Sequence, residues 1–439
     1  HPTTLAAARP AMVSRAPVWA GLAVLVVMVV GAVMFWPQGS TSTVIPSATK
    51  IAILPLAPTV EDSDLTRLGR DLVVLLSSNL DGVGPISTVD PNVILVRSDE
   101  LGRPFTLEEG IEFARTFGAG SVLQGNLVRM GGDVRIDAQL VSTANQATDA
   151  RLTTSGAEED MAALADATTW ALLDQVWRGD NAPTPHLAAG MTTSFEALRA
   201  FLEGEEAHRD GRYQRAWEAY ERAFSVDSTF WLAYWRYDAA RSWMMLDTDP
   251  AIEAAWQEHV DQLPRLDREY LEASATGVGS VRSAALRDFA ERNPDYYPGR
   301  WRYGDAILHT YIITLGEPLS EVTRSFERVV ELNPFMINAW EHLAFCYLAE
   351  DDLDQADWAL DELERRGGRA AIAEGYGNDV VGLYRNYIDF RRGERNRAEA
   401  ADTLSRMMKN ARAVNDLYQS FFARYYLIFG AAGVQIEAN

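Results

Sequence analysis

The chain has 439 residues and a formal charge of −22, with 62 acidic against 40 basic side chains. A surface of that sign repels phosphate backbones and anionic lipid, so nucleic-acid binding is not expected, whereas a basic protein partner would be drawn to it. The single cysteine, Cys346, excludes an intramolecular disulfide framework and a cysteine-built zinc site, and with Lys50 and Lys409 as the lysines, few amines remain for catalysis.

From Ala16 to Trp36 the chain carries no charge. About 20 apolar residues in a helix cover a bilayer core of roughly 30 Å, and Trp19 and Trp36 stand near the two ends, where indoles prefer the headgroup layer. The apolar region of a signal peptide is shorter, about 7–15 residues. The expectation is therefore one transmembrane helix over 16–36, anchoring the chain in the lipid bilayer. Residues 1–15 carry Arg9 and Arg15 and no acid. By the positive-inside tendency this tail is cytoplasmic and the bulk periplasmic, on a bacterial inner or intracytoplasmic membrane. Residues 37–49 are rich in Ser, Thr and Pro and read as a linker.

"KIAILPLAP" has the compact apolar character of a buried strand. "SDLTRLGRDLVVLLSSNLDGVG" has helical periodicity, with Leu65, Leu68, Leu72 and Leu76 on one face and Gly82 and Gly84 as a stop. "PISTVDPNVILV" reads as a strand pair or a strand and turn. "TLEEGIEFARTFGAG" reads as a helix whose Thr106 and Glu109 have capping-box spacing. Gly131 and Gly132 separate two alternating runs, the signal of a hairpin, and "EEDMAALADATTWALLDQVW" closes the region with a helix. The β-α-β-α-β-β-β-α order over 50–178 resembles the TolB amino-terminal-like domain. The residues that carry the resemblance are "IAILPL", "LGRDLVVLLSSNL" and "FARTFGAGSVLQGNLVRMGGDVRIDAQLVSTAN". It implies a small α/β adaptor without catalysis, of the kind bacteria place outside the membrane behind a kinase or cyclase and before tetratricopeptide repeats.

From Thr193 the pattern becomes helical. Gly204, Ala207, Gly211, Tyr213, Ala216, Tyr220 and Ala223 fall at the spacing of a tetratricopeptide repeat. Small residues stand where two helices of a hairpin touch, and aromatics fill the adjoining holes. Pro334, Trp340, Leu343, Ala344, Tyr347, Leu353 and Ala356 take the matching slots further on. "FWLAYWRYDAARSW" and "YYPGRWRYGDAILHTY" read as first helices of divergent repeats, with "AIEAAWQEHVDQL" and "SAALRDFAERNP" as candidate second helices. About four stacked hairpins are expected over 193–377, since one repeat cannot bury its apolar face alone. Residues 378–439 read as a helical cap. The fold class is thus α+β: a transmembrane helix, a small α/β domain, and an all-α helical-hairpin array.

No motif for chemistry emerges. There is no glycine-rich phosphate loop ending in Gly-Lys-Ser/Thr, no kinase set, no Gly-x-Ser-x-Gly and no His-Glu-x-x-His. Gly82 and Gly118 read as turn glycines. His1, His186, His208, His259, His309 and His342 include no i, i+4 histidine pair for a metal, and His342 reads as structural. The acidic run Glu350–Asp357 lacks the glycine and terminal glutamate of an EF-hand and reads as a solvated turn, and Cys346 as a small buried hydrophobe. No catalytic residue, cofactor or metal is expected, nor a small-molecule ligand. Tyr296, Tyr297, Trp301 and Tyr303, and near the end Phe421, Phe422, Tyr425 and Tyr426, are the candidate partner contacts. These features point to a non-enzymatic scaffold subunit that binds and stabilises a multi-subunit bacterial membrane complex. A photosynthetic reaction-centre–light-harvesting complex is one such setting. The alternative is a periplasmic sensor that binds a peptide or envelope component and signals across the membrane.

Overall fold

Ile51, Ala52 and Ile53 are all buried, the sign of a strand covered on both faces. They lie in β1 (Ser47–Ile53), which β3 (Ser87–Thr88) and β4 (Ala119–Met130) flank in parallel. β5 (Asp133–Ser142) and β6 (Thr148–Ala157) continue antiparallel, giving the order β3-β1-β4-β5-β6, and the short β2 (Ala57–Pro58) also pairs with β4. The turn between β4 and β5 is the expected Gly131–Gly132 hairpin, with Gly131 at φ +67°. This computed structural model describes residues 46–176, 185, 191–244, 246–247, 249–314, 319–370, 379–396, 398–399 and 402. The expected span with Trp19 and Trp36, and the terminal Phe421, Phe422, Tyr425 and Tyr426, lie outside these residues. Among the described residues no helix is long and apolar enough to cross a membrane.

α1 (Ser63–Leu80) buries Leu65, Leu68, Leu72 and Leu76, as its periodicity requires. It comes so close to the chain after β1 that a Cβ on Gly69 would lie 2.0 Å from the Leu56 carbonyl oxygen, and the Leu56 N–H donates to the Gly69 carbonyl. α3 (Leu107–Thr116) carries the reciprocal capping box of Thr106 and Glu109. α4 (Met161–Val176) packs on α1 and β6.

One expectation fails in this layer. Only Ser87–Thr88 is strand, and "PNVILV" begins α2 (Pro91–Leu101). Asp90 caps that helix by accepting from the Asn92 N–H at 2.7 Å, and Pro91 brings a φ suited to the first turn. Burial of Val93, Ile94, Leu95 and Val96 outweighs the strand preference of their branched side chains.

Among the described residues the rest is an array of five helical hairpins, where about four were expected. They are α5 (Phe195–Arg209) with α6 (Tyr213–Val226), α7 (Trp231–Trp243) with α8 (Pro250–Glu258), α9 (Arg265–Ala275) with α10 (Ser280–Arg292), α11 (Tyr297–Thr314) with α12 (Leu319–Leu332), and α13 (Ile337–Ala349) with α14 (Leu353–Arg365). α15 (Val380–Arg392) packs on the last pair. "SAALRDFAERNP" is indeed a second helix, but its partner is the charged α9, which has no small-residue signature.

The array turns back on itself. The Asn333 side-chain amide donates to the Arg209 carbonyl at 3.1 Å, joining the end of α12 to the turn of the first hairpin. In that turn Gly211 holds φ +71°, and a Cβ there would lie 2.5 Å from the Phe335 carbonyl oxygen. Asn338 likewise donates to the Trp243 carbonyl at 3.1 Å. Sheet layer and array form one compact unit from Pro46 onward, and a single apolar cluster runs from Ile51 in β1 to Leu263 beyond α8.

Candidate functional site

The first helices of the hairpins, α5, α7, α9, α11 and α13, surround a groove of about 390 Å³. Apart from Asn92 of α2 and Tyr296, every lining residue belongs to one of those five helices. Stacked hairpins that curve put one helix of each pair on the inside, so a repeating local motif yields a continuous concave wall. Its floor is a chain of rings: His208 on Trp243 (6.4 Å between centroids), Trp243 on Trp301 (5.4 Å) and Trp301 on His342 (4.7 Å). Burial pushes the His208 imidazole down to about 3, with Arg236 and Arg209 adding to the effect, so this ring is neutral.

A fixed charge cluster stands in the wall. Arg236 grips Asp267 with both terminal guanidinium nitrogens and donates through Nε to Glu205 at 3.1 Å. Asp267 also accepts from Trp235 Nε1 at 3.1 Å, and Glu205 accepts from the Tyr220 hydroxyl at 2.6 Å. Burial works against the Arg236 cation, yet the Asp267 and Glu205 carboxylates outweigh it and raise its pKa well above the ordinary value. Two carboxylates bind one guanidinium here, which fixes this stretch of the wall: Glu205 and Arg236 line the groove, and Asp267 faces the neighbouring seam cavity.

A second candidate site is the seam between the sheet and the array. Lys50 of β1 reaches Asp295 at 2.8 Å, and the other Asp295 oxygen accepts from the Asp90 N–H at 2.9 Å. Arg265 of α9 bridges Asp81 at 2.7 Å and Glu269 at 2.6 Å. A cavity of about 180 Å³ lies among these groups. Burial, reinforced by the neighbouring Asp295, pushes the Asp90 carboxyl up to about 7.

The hairpin-packing residues read from the sequence stand at helix contacts. Gly204 leaves room for Tyr220, whose ring would be 2.4 Å from a Cβ there. Ala207, Tyr213, Ala216, Tyr220 and Ala223 are buried. In the last pair Trp340, Leu343, Ala344, Tyr347 and Ala356 are buried, and Pro334 accepts from Trp340 Nε1 at 2.8 Å. Of the candidate contacts, Tyr296, Tyr297 and Trp301 line the groove. Tyr303 does not: it is fully enclosed, lies under the Arg287 guanidinium and accepts from Arg287 Nε at 2.9 Å, so it serves a helix interface. Cys346 is fully buried, and burial pushes its thiol pKa well up. The acidic run spans the α13–α14 turn and the start of α14; Asp351 has φ +64° and Asp352 caps α14 by accepting from the Gln355 N–H.

One constellation went unread in the sequence. Asp305 and His309 on α11 and His342 on α13 bring one ligand atom each to within 4.8 Å of one another, a set able to hold a metal ion. A search for histidine pairs misses it, because the i, i+4 pair is Asp305–His309 and the second histidine arrives through the fold. No protein-family model matches the chain, and no curated protein matches it.

Proposed function

We propose that the chain is a non-enzymatic, membrane-anchored scaffold subunit, held on a bacterial membrane by residues 16–36, whose hairpin array grips a segment of another subunit and so stabilises a multi-subunit complex. The observation that carries this reading is the groove formed by five successive first helices, with aromatic edges and a fixed Arg–carboxylate cluster in its wall. Rigid, ring-lined concavities are suited to an extended peptide, since little ordering entropy is lost on their side. The net charge of −22 makes a basic segment the favoured occupant. The α/β layer and the tetratricopeptide-like register agree with an adaptor in the TolB-like arrangement. A photosynthetic reaction-centre–antenna complex is the proposed setting, an assembly large enough to need extrinsic bracing.

Purification from detergent-solubilised membranes, followed by mass spectrometry of the co-purifying chains, tests the proposal. Stoichiometric membrane subunits are expected, and photo-crosslinks placed at Ser242 and Ser274 in the groove wall should capture one of them. Recovery only as a free monomer would overturn it. A second reading, the periplasmic sensor, draws on the charged cavity at the seam, where a bound ligand would touch the sheet layer and the array together.

A further inference from the structure

We propose that Asp305, His309 and His342 form a binding site for a zinc-class first-row divalent cation at the edge of the groove floor. Asp305 Oδ1 is 3.1 Å from His309 Nε2 and 3.8 Å from His342 Nε2. Ligands held at about 2.0–2.1 Å around a tetrahedral ion stand roughly 3.3 Å apart, so both separations fit after sub-ångström adjustment. The remaining gap, between the two imidazoles, is at most 4.8 Å. His309, the most exposed of the three side chains at 31 %, closes it by rotating.

The second observation is His342 itself. Its side chain is 4 % exposed, and its Nε2 has no hydrogen-bonding partner. A buried nitrogen so placed lacks an interaction that a cation at Nε2 would supply. Behind it, Glu341 Oε2 lies 2.7 Å from His342 Nδ1, while Glu341 Oε1 accepts from the Tyr384 hydroxyl. A carboxylate behind the distal nitrogen is the outer-shell arrangement that orients metal-bound histidines. Trp301 and Phe326 pack edge-on against the ring at 4.7 Å and 5.1 Å and fix its plane. Arg302 takes the other Asp305 oxygen at 3.0 Å, leaving Oδ1 for the ion.

Two imidazoles and one carboxylate are borderline donors. They suit zinc, or cobalt in its place, over magnesium and calcium, which prefer oxygen alone. Asp305 and His342 also line the groove, so the coordination positions left to water face it. The occupant of the groove does not enter this argument.

The test uses the full chain in detergent, stripped with a chelator and titrated with Zn²⁺ by calorimetry and with Co²⁺ by visible absorption. One ion per chain with micromolar or tighter affinity is expected, uncontested by excess Mg²⁺. His309→Ala and Asp305→Asn should each weaken binding by tenfold or more and abolish the tetrahedral Co²⁺ bands. Glu341→Gln should weaken it by about tenfold through its outer-shell role. His259→Ala, an imidazole stacked on Trp231, should change nothing. Circular dichroism checks that each variant is folded, and His309, being partly exposed, can be removed with the least disturbance. The proposal is overturned if the folded wild type takes up no stoichiometric ion, or if His309→Ala and Asp305→Asn leave its uptake unchanged.

Discussion

Asp90 shows how one side chain can carry a cost that its neighbours tolerate. It caps α2, yet it is buried beside Asp295, and its pKa of about 7 lies far above the usual 3.8. The folded state therefore keeps a proton that the unfolded chain has released. Stability from this group is full below about pH 4 and falls as pH rises to about 7, by a few kcal/mol in all. Asp90→Asn retains a capping oxygen without the charge. Denaturant midpoints at pH 5 and pH 8 should show the variant gaining more on wild type at pH 8 than at pH 5. Asp71, likewise pushed up to about 7 by burial, will leave a residual slope in both proteins. Equal slopes in the two would refute the assignment. Arg236 presents the opposite case. Arg236→Met strands Asp267 and Glu205 without their cation, and the expected loss is about 3–5 kcal/mol in chemical unfolding.

Between helices and strands, stability turns on a few close approaches. Gly69→Ala drives a methyl into the Leu56 carbonyl, a backbone atom that cannot yield, and should be among the most damaging single changes in the sheet layer. Gly204→Ala meets the Tyr220 ring, which is fully buried, and an overpacking loss of about 1–3 kcal/mol is expected. Gly102→Ala meets nothing within 4 Å and should lose only about 1 kcal/mol through its left-handed backbone. Thermal melts of the three variants would establish the order. The same contacts explain what could be read in advance. The leucine face of α1, the capping box of α3, the Gly131 turn and the first and last hairpins were legible because each is a short-range pattern. α2 was misread because Val93, Ile94 and Val96 resemble a strand, while the Asp-Pro cap before them is the weaker signal. α9 was missed because its charged sequence packs by position in the stack, not by small residues. The cluster of Asp305, His309 and His342 was illegible for a different reason: its members are brought together by α11 meeting α13, which no local spacing records.

At the scale of the molecule, Lys50 and Arg265 tie the sheet to the array through Asp295 and Asp81, and an apolar cluster continues beneath them. Lys50→Met with Arg265→Met should loosen that seam and be read as faster amide exchange in both β1 and α9. An open repeat array behaves as a row of nearest neighbours and can melt from its ends. Here Asn333 and Gly211 fasten the first hairpin to the loop before the fifth, so the described part of the chain should unfold in one calorimetric step. Asn333→Ala should split or broaden that transition. If the groove takes a segment of another subunit, as proposed, such fastening would also restrict its entry. A collar closed in this way would accept a tail or a loop tip fed in endwise and reject a folded body of the same surface chemistry, so selectivity would rest on the girth of the guest before any of its side chains are read.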